Sequence, residues 1–479
     1  MRVAILHFHL RPGGVTRVIE MACEALLQGG CEPLVIVGET PPPQCRIPGE
    51  LIRVVPDLAY DVSSRRAGHL HTEVQAAMFR HWQGEADILH LHNHSLGKNF
   101  ALPLAVSRWA AEGRSVLLQI HDFAENGRPG NYRRLLFELG GPAGLSCCLY
   151  PVAPRVGYAA LNSADRTRLQ QAGLTSSCDL LPNPVALPDG GRPVAKDELG
   201  AGRLIVYPTR AIRRKNIGEA VLWAALAAPD EKVVLTAAPQ SLPDRQLHDE
   251  WKGFAESLGL PVLFNAQGLL GRPTQDFLRG ADVCLTTSVA EGFGMAFLEP
   301  WLAGCPLIGR DLPAVTRDFR AAGLVLDSLY GRLDVPLDAI GREAVTALVE
   351  TKIRATCESY GVDFQKEFVQ VAEKVVIRPS GVDFGRLDET LQRKVIRGVA
   401  RGSLPSDGIS PGMPRGGSAC VGPNRKIVQE HFALARYGER LGEIYRRLCS
   451  GEAATPGYLE AGRVLQAALD FEDFYALRS

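Results

Sequence analysis

The sequence predicts an α/β fold of two doubly wound parallel sheets in tandem, closed by a helical tail. Three observations carry this expectation. Short apolar runs alternate with amphipathic stretches through the first two-thirds of the chain. The runs are continuous rather than period-two, as parallel strands covered on both faces require. A stretch rich in Pro, Gly and charge, from Leu181-Pro182-Asn183-Pro184 to about Gly202, separates two such series. The boundaries follow: 1–185 for a first Rossmann-like domain, 200–330 for a second, 331–423 for a partly helical insert, and 424–479 for C-terminal helices expected to pack back on the first domain.

The elements can be justified in order. Val3–Phe8 is a buried-strand run. The turn Arg11-Pro12-Gly13-Gly14 follows, and then a helical stretch from Val15 to Leu27 that Gly29-Gly30 ends. Further strands are expected at Pro33–Val37, Ile52–Val55, Ile88–His92 and Val116–Ile120, with helices near 71–82 and 99–111. The second series comprises Leu204–Tyr207, Lys232–Ala237, Val262–Asn265, Val283–Thr287 and Pro306–Ile308. Residues 331–400 read as mostly helical. Six Gly, four Pro and four Ser in 401–426 signal an irregular or mobile loop. Val428, Phe432, Ala435, Leu441, Ile444, Tyr445 and Leu448 then recur near helical spacing.

Composition narrows the function. The 479 residues carry 53 Lys plus Arg and 53 Asp plus Glu, so no basic excess exists to neutralise a nucleic-acid polymer. Hydrophobic residues at 46% and charged residues at 22% fit an ordinary folded protein rather than a disordered one. No apolar run reaches the roughly 18 residues of a membrane span. Val3–Leu6 is short and followed by His7 and His9, which reads as a strand and not as a signal peptide. The odd count of 11 cysteines, none in a Cys-x-x-Cys pair, is expected of reduced thiols in a cytoplasmic protein.

Two segments point to chemistry. Glu291-Gly292-Phe293-Gly294-Met295-Ala296-Phe297-Leu298-Glu299 follows a strand and is expected to open a helix. Glycines there let backbone N–H groups approach an anion, and a helix start favours negative charge. Glu299 is expected in the second helical turn, where its carboxylate could accept the hydroxyls of a ribose. The alternative is an ordinary helix start with surface glutamates. Arg210-Ala211-Ile212-Arg213-Arg214-Lys215-Asn216 also follows a strand. Four cations in six residues suit a diphosphate, although alone they equally describe a solvated basic loop. Both segments fall at strand ends of one sheet, where open α/β folds bind ligands.

This pair of segments resembles the donor half of retaining glycosyltransferases of family 4, which have the GT-B fold of two Rossmann-like domains facing a cleft. The resemblance implies that Arg210 and Lys215 bind the diphosphate of a nucleotide sugar, that Glu291 contacts the donor sugar, and that Glu299 contacts the ribose. Gly292, Phe293, Gly294, Met295 and Ala296 would complete donor binding. Gly13-Gly14-Val15 resembles the family's glycine-rich acceptor-side loop, and Asn424 to Leu448 its closing helix. His121-Asp122 matches the position where a histidine lies near donor sugar and acceptor. The insert at 331–423 lies outside the common pattern and resembles enzymes that make glycosylated glycerate-type compatible solutes.

Six of the 11 histidines fall at three strand ends of the first domain: His7 and His9, His90, His92 and His94, and His121. A metal site is one reading, since imidazole suits zinc. No carboxylate or Cys stands in an obvious ligand pattern beside them except Asp122, so no metal is expected. The preferred reading is a polar acceptor pocket, with half or more of these side chains simply buried and satisfied. Arg128, Arg133 and Arg134, and Lys98 before Asn99, could recognise a phosphate or carboxylate on the acceptor, or form a solvated face. Asn183 between two prolines reads as a rigid turn residue. No Walker loop or nucleophile elbow is present, and Gly13-Gly14 lacks the full dinucleotide fingerprint.

The expected activity is therefore transfer of a hexose from a nucleotide-diphosphate sugar, of UDP or GDP type, to a hydroxyl of a small, polar or anionic acceptor. Retention at the anomeric carbon follows from the resemblance, and no cofactor is required. Two alternatives stay open: a sugar-nucleotide epimerase on the same architecture, and a non-catalytic nucleotide-sugar-binding protein. Peripheral membrane contact and oligomeric state also stay open.

Overall fold

The computed structural model describes residues 1–174, 178–187, 190–409 and 418–478. The chain divides into two compact units, Met1–Pro184 with Phe432–Asp470, and Val185–His431 with Phe471–Ser479.

The first unit holds a seven-stranded sheet in the order Ile52–Val54, Glu32–Val37, Arg2–His7, Ile88–His92, Val116–Ile120, Val156–Ala160, Cys178–Leu180. Every neighbouring pair is parallel. The last two strands are absent from the sequence reading, because Val156–Ala160 carries Gly157 and small residues instead of a bulky apolar run. Strand order reverses at Arg2–His7, which pairs with Glu32–Val37 on one side and Ile88–His92 on the other. The crevice outside the carboxyl ends of two such strands is where doubly wound sheets bind ligands. The helix Leu434–Ser450 covers this sheet with Tyr437, Leu441, Ile444, Tyr445 and Leu448, all buried at three- and four-residue spacing.

The second unit repeats the plan with six parallel strands, ordered Val262–Leu263, Glu231–Ala237, Arg203–Arg210, Val283–Thr286, Leu307–Arg310, Leu329–Tyr330. Its order reverses between Arg203–Arg210 and Val283–Thr286.

The span 331–423, expected as an insert, is built into this second unit. Helices Arg342–Tyr360, Lys366–Val376 and Glu389–Ala400 frame a small antiparallel sheet of Asp334–Val335, Gly381–Asp383 and Ile377–Arg378. Val345, Val349, Ile353, Val382, Phe384, Val395 and Ile396 share one apolar core with Ile205, Tyr207, Val233 and Leu235 of the parallel sheet. Those helices bury amphipathic faces that have no other cover. Of the Gly/Pro/Ser-rich stretch, residues 410–417 lie outside the described residues.

The tail also divides. Phe432–Asp470 falls in the first unit, whereas Val421–His431 and the stretch beyond Asp470 fall in the second. The buried Asn424 decides this for the first of them: its amide accepts from Val325 N–H at 2.9 Å and donates to Val325 C=O at 2.8 Å. Among the described residues no helix is long and apolar enough to cross a membrane. All eleven cysteines are free thiols.

A buried ion network joins the span 331–423 to the sheet. The Arg310 guanidinium is fully buried between Glu219, at 2.7 Å, and Asp383, at 2.9 Å. Glu219 also accepts from Tyr330 O–H at 2.8 Å and Asn216 Nδ2–H at 2.8 Å. Gln392 donates to Asn216 Oδ1 at 2.8 Å. Arg310→Met would leave two carboxylates buried against each other, so unfolding of the second unit should lose about 3–5 kcal/mol. Urea unfolding followed by the tryptophans of that unit measures this, and a loss below about 1 kcal/mol would count against the network's structural role.

Candidate functional site

At the reversal point of the second sheet, two loops meet. The Arg203–Arg210 strand leads into a 3₁₀ turn at Arg213–Lys215. The chain then passes through Asn216 at φ 50°, a left-handed conformation that Asn tolerates, before the helix Ile217–Ala225. The Val283–Thr286 strand leads into Glu291. Lys215 Nζ pairs with Glu291 Oε1. Ser288 Oγ–H donates to the same oxygen at 2.7 Å.

Backbone contacts lock the two loops together. Tyr207 O–H lies 3.0 Å from Lys215 C=O and 2.8 Å from Ser288 Oγ. Thr287 Oγ1–H donates to Lys215 C=O at 2.9 Å. Val289 N–H donates to Arg214 C=O at 2.9 Å. The polar run Thr286-Thr287-Ser288 at a strand end was the overlooked signal for this lock.

The electrostatics are unbalanced. Burial opposes charge on Glu291, yet Lys215 and then Arg214 hold its carboxyl below the usual range. Burial lowers the Lys215 ammonium below its usual value, and Arg214 and Arg210 push the same way against Glu291. Lys215 and Arg214 thus act on one carboxylate, and Arg210 adds to the positive field at Lys215. Arg210 is exposed at the strand end and forms no ion pair among the described residues. Such a cluster gains when an anion arrives.

The segment after Glu291 departs from expectation. Met295–Phe297 is a single 3₁₀ turn, and the helix begins only at Glu299 and ends at Ala303. Glu299 is therefore the first residue of a five-residue helix, not part of a second turn. Pro300 explains the start, since proline is favoured in a first turn and cannot extend a helix backwards. With so short a helix, the expected dipole contribution near Gly294 lapses. Gly294 itself is required: it sits at φ 85°, and a Cβ there would stand 2.9 Å from Phe297 and Val315. Phe293 is buried edge-on against Phe319, 5.6 Å between ring centres. Gly292, Met295 and Ala296 are half-buried beside it.

In the first unit the histidines gather as expected but are not a ligand-lined pocket. His92 and His94 are 0% exposed, so neither can line an acceptor pocket directly. His94 Nε2 lies 2.7 Å from Leu149 C=O. His90 lies between Gln119 Oε1 at 2.9 Å and Tyr445 O–H at 2.8 Å. His92 Nδ1 faces His121 Nε2 at 2.8 Å, and His7 Nδ1 faces His92 C=O at 3.3 Å. His9 is the outlier, half-buried against Tyr60 O–H at 3.0 Å. Asn93, at φ 59°, accepts from His121 N–H at 2.7 Å and Asp122 N–H at 3.0 Å through its side chain. Asp122 pairs with Arg128 at 2.6 Å. Arg133 is exposed on the helix Pro129–Glu138. Gly13 caps the first helix and Gly14 begins it; both are exposed, and a Cβ on Gly14 would meet nothing within 4 Å. Packing does not demand glycine there. Among the described residues, no three His, Cys, Asp or Glu side chains are grouped to hold a metal ion.

No family model matches the chain. A mannosylglucosyl-3-phosphoglycerate synthase of Petrotoga mobilis is 32% identical over 238 residues, which cover 46% of this chain and 45% of that protein. The match thus spans about half the length of the relative. Among solved structures, sucrose-phosphate synthase of Thermosynechococcus elongatus superposes with a TM-score of 0.54 at 16% identity, over 93% of this chain and 98% of that one. HepE of Anabaena, solved with UDP and glucose, gives a TM-score of 0.50 at 12% identity, over 92% and 98%. The chain carries the GT-B fold. In the second unit of this GT-B chain, the Arg210–Lys215 and Glu291 segments follow the two strands at which the order reverses.

Two outcomes follow for the first unit. Burial lowers His7 and His90 to about 3, and His94 and His121 to about 4. His92 is lowered well below its usual 6.5 by burial and then by His90. These groups are neutral in the fold and bind protons once unfolded below pH 6.5. Stability is thus fully present above pH 6.5 and lost as pH falls towards 4, by up to about 1.4 kcal/mol per pH unit for each histidine. Glu125, which burial raises to about 7, opposes only one of them. Unfolding midpoints measured from pH 7 to 5 should fall steeply, and a flat profile would contradict this. The second outcome concerns tautomers. His92 Nε2 is buried with no partner among the described residues. Orphaned buried N–H groups are rare, so the proton belongs on His92 Nδ1, donating to His121 Nε2. His121 should then be the Nδ1–H tautomer, which ¹⁵N NMR of histidine-labelled protein reads directly.

Proposed function

We propose that this chain transfers a hexose from a nucleotide-diphosphate sugar to a hydroxyl of a small, polar, anionic acceptor, with retention at the anomeric carbon and without a metal ion. The observation that carries the reading is the Lys215–Glu291 pair at the second sheet's reversal point, with Arg210 exposed at the same strand end and in no ion pair among the described residues. Two supports stand beside it: the fold is that of HepE, which was solved with UDP and glucose, and the Petrotoga relative is named for a glycosylated 3-phosphoglycerate.

The chemical difficulty of such a transfer is charge growing on the departing diphosphate while the sugar becomes oxocarbenium-like. Arg210 and Lys215 would stabilise that charge. Preorganised electrostatics of this kind is commonly the largest catalytic contribution. The Glu291 carboxylate, already fixed by Lys215 and Ser288, would hold donor-sugar hydroxyls rather than act as nucleophile. Glu299 is assigned to the ribose. His121, Asp122 and the Gly13-Gly14 loop are assigned to the acceptor side. In retaining chemistry of this type the leaving phosphate can itself accept the acceptor's proton, so no protein nucleophile is named. Free thiols throughout fit the cytoplasm.

Lys215→Ala should lower turnover about 100- to 1,000-fold, the usual loss when one preorganised donor is removed. Glu299→Ala should weaken nucleotide binding about tenfold, as for a hydrogen bond to a charged group. Full activity and binding in both purified variants would sink the assignment. Turnover should survive excess chelator, and NMR of the product should show the donor's anomeric configuration.

A further inference from the structure

The first sheet's reversal point holds a cation that the histidine cluster does not use. Lys98 lies in the loop after the Ile88–His92 strand and is half-buried. Among the described residues its ammonium has no carboxylate within ion-pair distance and no hydrogen-bond acceptor. The ammonium stands over the Tyr60 ring, 5.7 Å from Nζ to the ring centre.

The backbone around Lys98 is pinned on every side. Asp61 N–H donates to Lys98 C=O at 2.7 Å. Asn99 is fully buried; it donates to Asp57 C=O at 2.8 Å and Ala59 C=O at 2.7 Å, and accepts from Ala101 and Leu102 N–H at 2.9 and 2.7 Å. Phe100 N–H donates to Val62 C=O at 2.9 Å. Before Lys98, Gly97 sits at φ 72°, where a Cβ would stand 2.8 Å from Asn131 C=O. Asn131 Nδ2–H in turn donates to Leu96 C=O at 2.8 Å. The helix Pro129–Glu138 is thereby held against this loop.

Two of the arginines on this side have partners. Arg128 pairs with Asp122 at 2.6 Å, and Arg134 with Asp61 at 2.6 Å while stacking 4.7 Å over Phe100. Lys98 is half-buried and, among the described residues, in no ion pair. Burial lowers its ammonium, and Arg128 and Arg134 push it the same way against Asp61. A lysine held rigid, partly desolvated and short of a counter-charge is a cost to the fold alone. An incoming oxyanion would relieve it.

We propose that Lys98, with the Tyr60 hydroxyl, is the anchor of an oxyanion subsite that takes the phosphate or carboxylate of the acceptor. This rests on the reading of the first unit as the acceptor side. It makes the acceptor an anionic small molecule and separates recognition of its charge from the donor cations of the second unit.

Calorimetric titration of the full chain at low ionic strength tests it with three probes: 3-phosphoglycerate, glycerol 3-phosphate and glycerate. UDP and GDP are titrated in parallel. The chain should bind 3-phosphoglycerate, and whichever of the other two also binds identifies the anion read. Lys98→Gln should weaken that binding at least about tenfold, because a charged hydrogen-bond partner is lost. Lys98→Arg should recover part of it, with nucleotide affinity unchanged in both. Lys98→Gln removes no ion pair, and its thermal midpoint checks that it folds. Unchanged anion binding in Lys98→Gln, or no anion binding by a chain that binds nucleotide, overturns the subsite. Anion binding without nucleotide binding would leave Lys98 standing and sink the donor reading instead.

Discussion

The second unit depends on a guanidinium with no access to water. Arg310 ends a strand of the parallel sheet, yet its partners come from the helix after the cationic loop, Glu219, and from the C-terminal additions, Asp383. Burying one cation between two carboxylates is expensive unless each polar atom is satisfied. Tyr330 and Asn216 supply the remaining bonds to Glu219. Asn216 is also the residue directly after Lys215, and Gln392 of the added helices fixes its other end. The network therefore does more than close a core. It sets the backbone from which Lys215 reaches Glu291. This gives the helices and small sheet between Asp334 and Ala400 a physical purpose: through Asp383 and Gln392 they hold the cationic loop in place.

The same logic of incomplete pairing runs through both units. Many charged side chains among the described residues pair with one of opposite sign. Where the two sheets reverse strand order, the pairing fails locally: Arg210 in the second unit, Lys98 in the first. A net charge of zero conceals these positions, because acidic side chains elsewhere offset them in the sum. Unpaired charges at the carboxyl ends of parallel strands are the points where an anionic ligand adds most, since the local field is focused by low-dielectric walls.

The histidines teach a different lesson. Their clustering was legible, because alternate residues of a strand share a face and three strand ends lie side by side. Their role was not. The helix Leu434–Ser450 covers His90, and its Tyr445 reaches that ring from more than 350 positions away in sequence. No local pattern announces such a contact. The imidazoles that resembled a ligand-lined pocket are largely a buried hydrogen-bonded network that orients His121.

What the sequence alone determined is the architecture and the choice of chemistry. Continuous apolar runs set the parallel sheets, and the residue types at Arg210–Lys215 and Glu291–Glu299 raise the expectation of an anionic ligand. These are local properties: periodicity, and the kind of side chain following a strand. Only the tertiary structure decided which charges remain unpaired, that the last third of the chain completes the second unit's core, and that the tail serves both units. It also decided that Glu299 starts its helix instead of lying within it. Pairing and burial are sums over distant neighbours, so they exist only once the chain has folded.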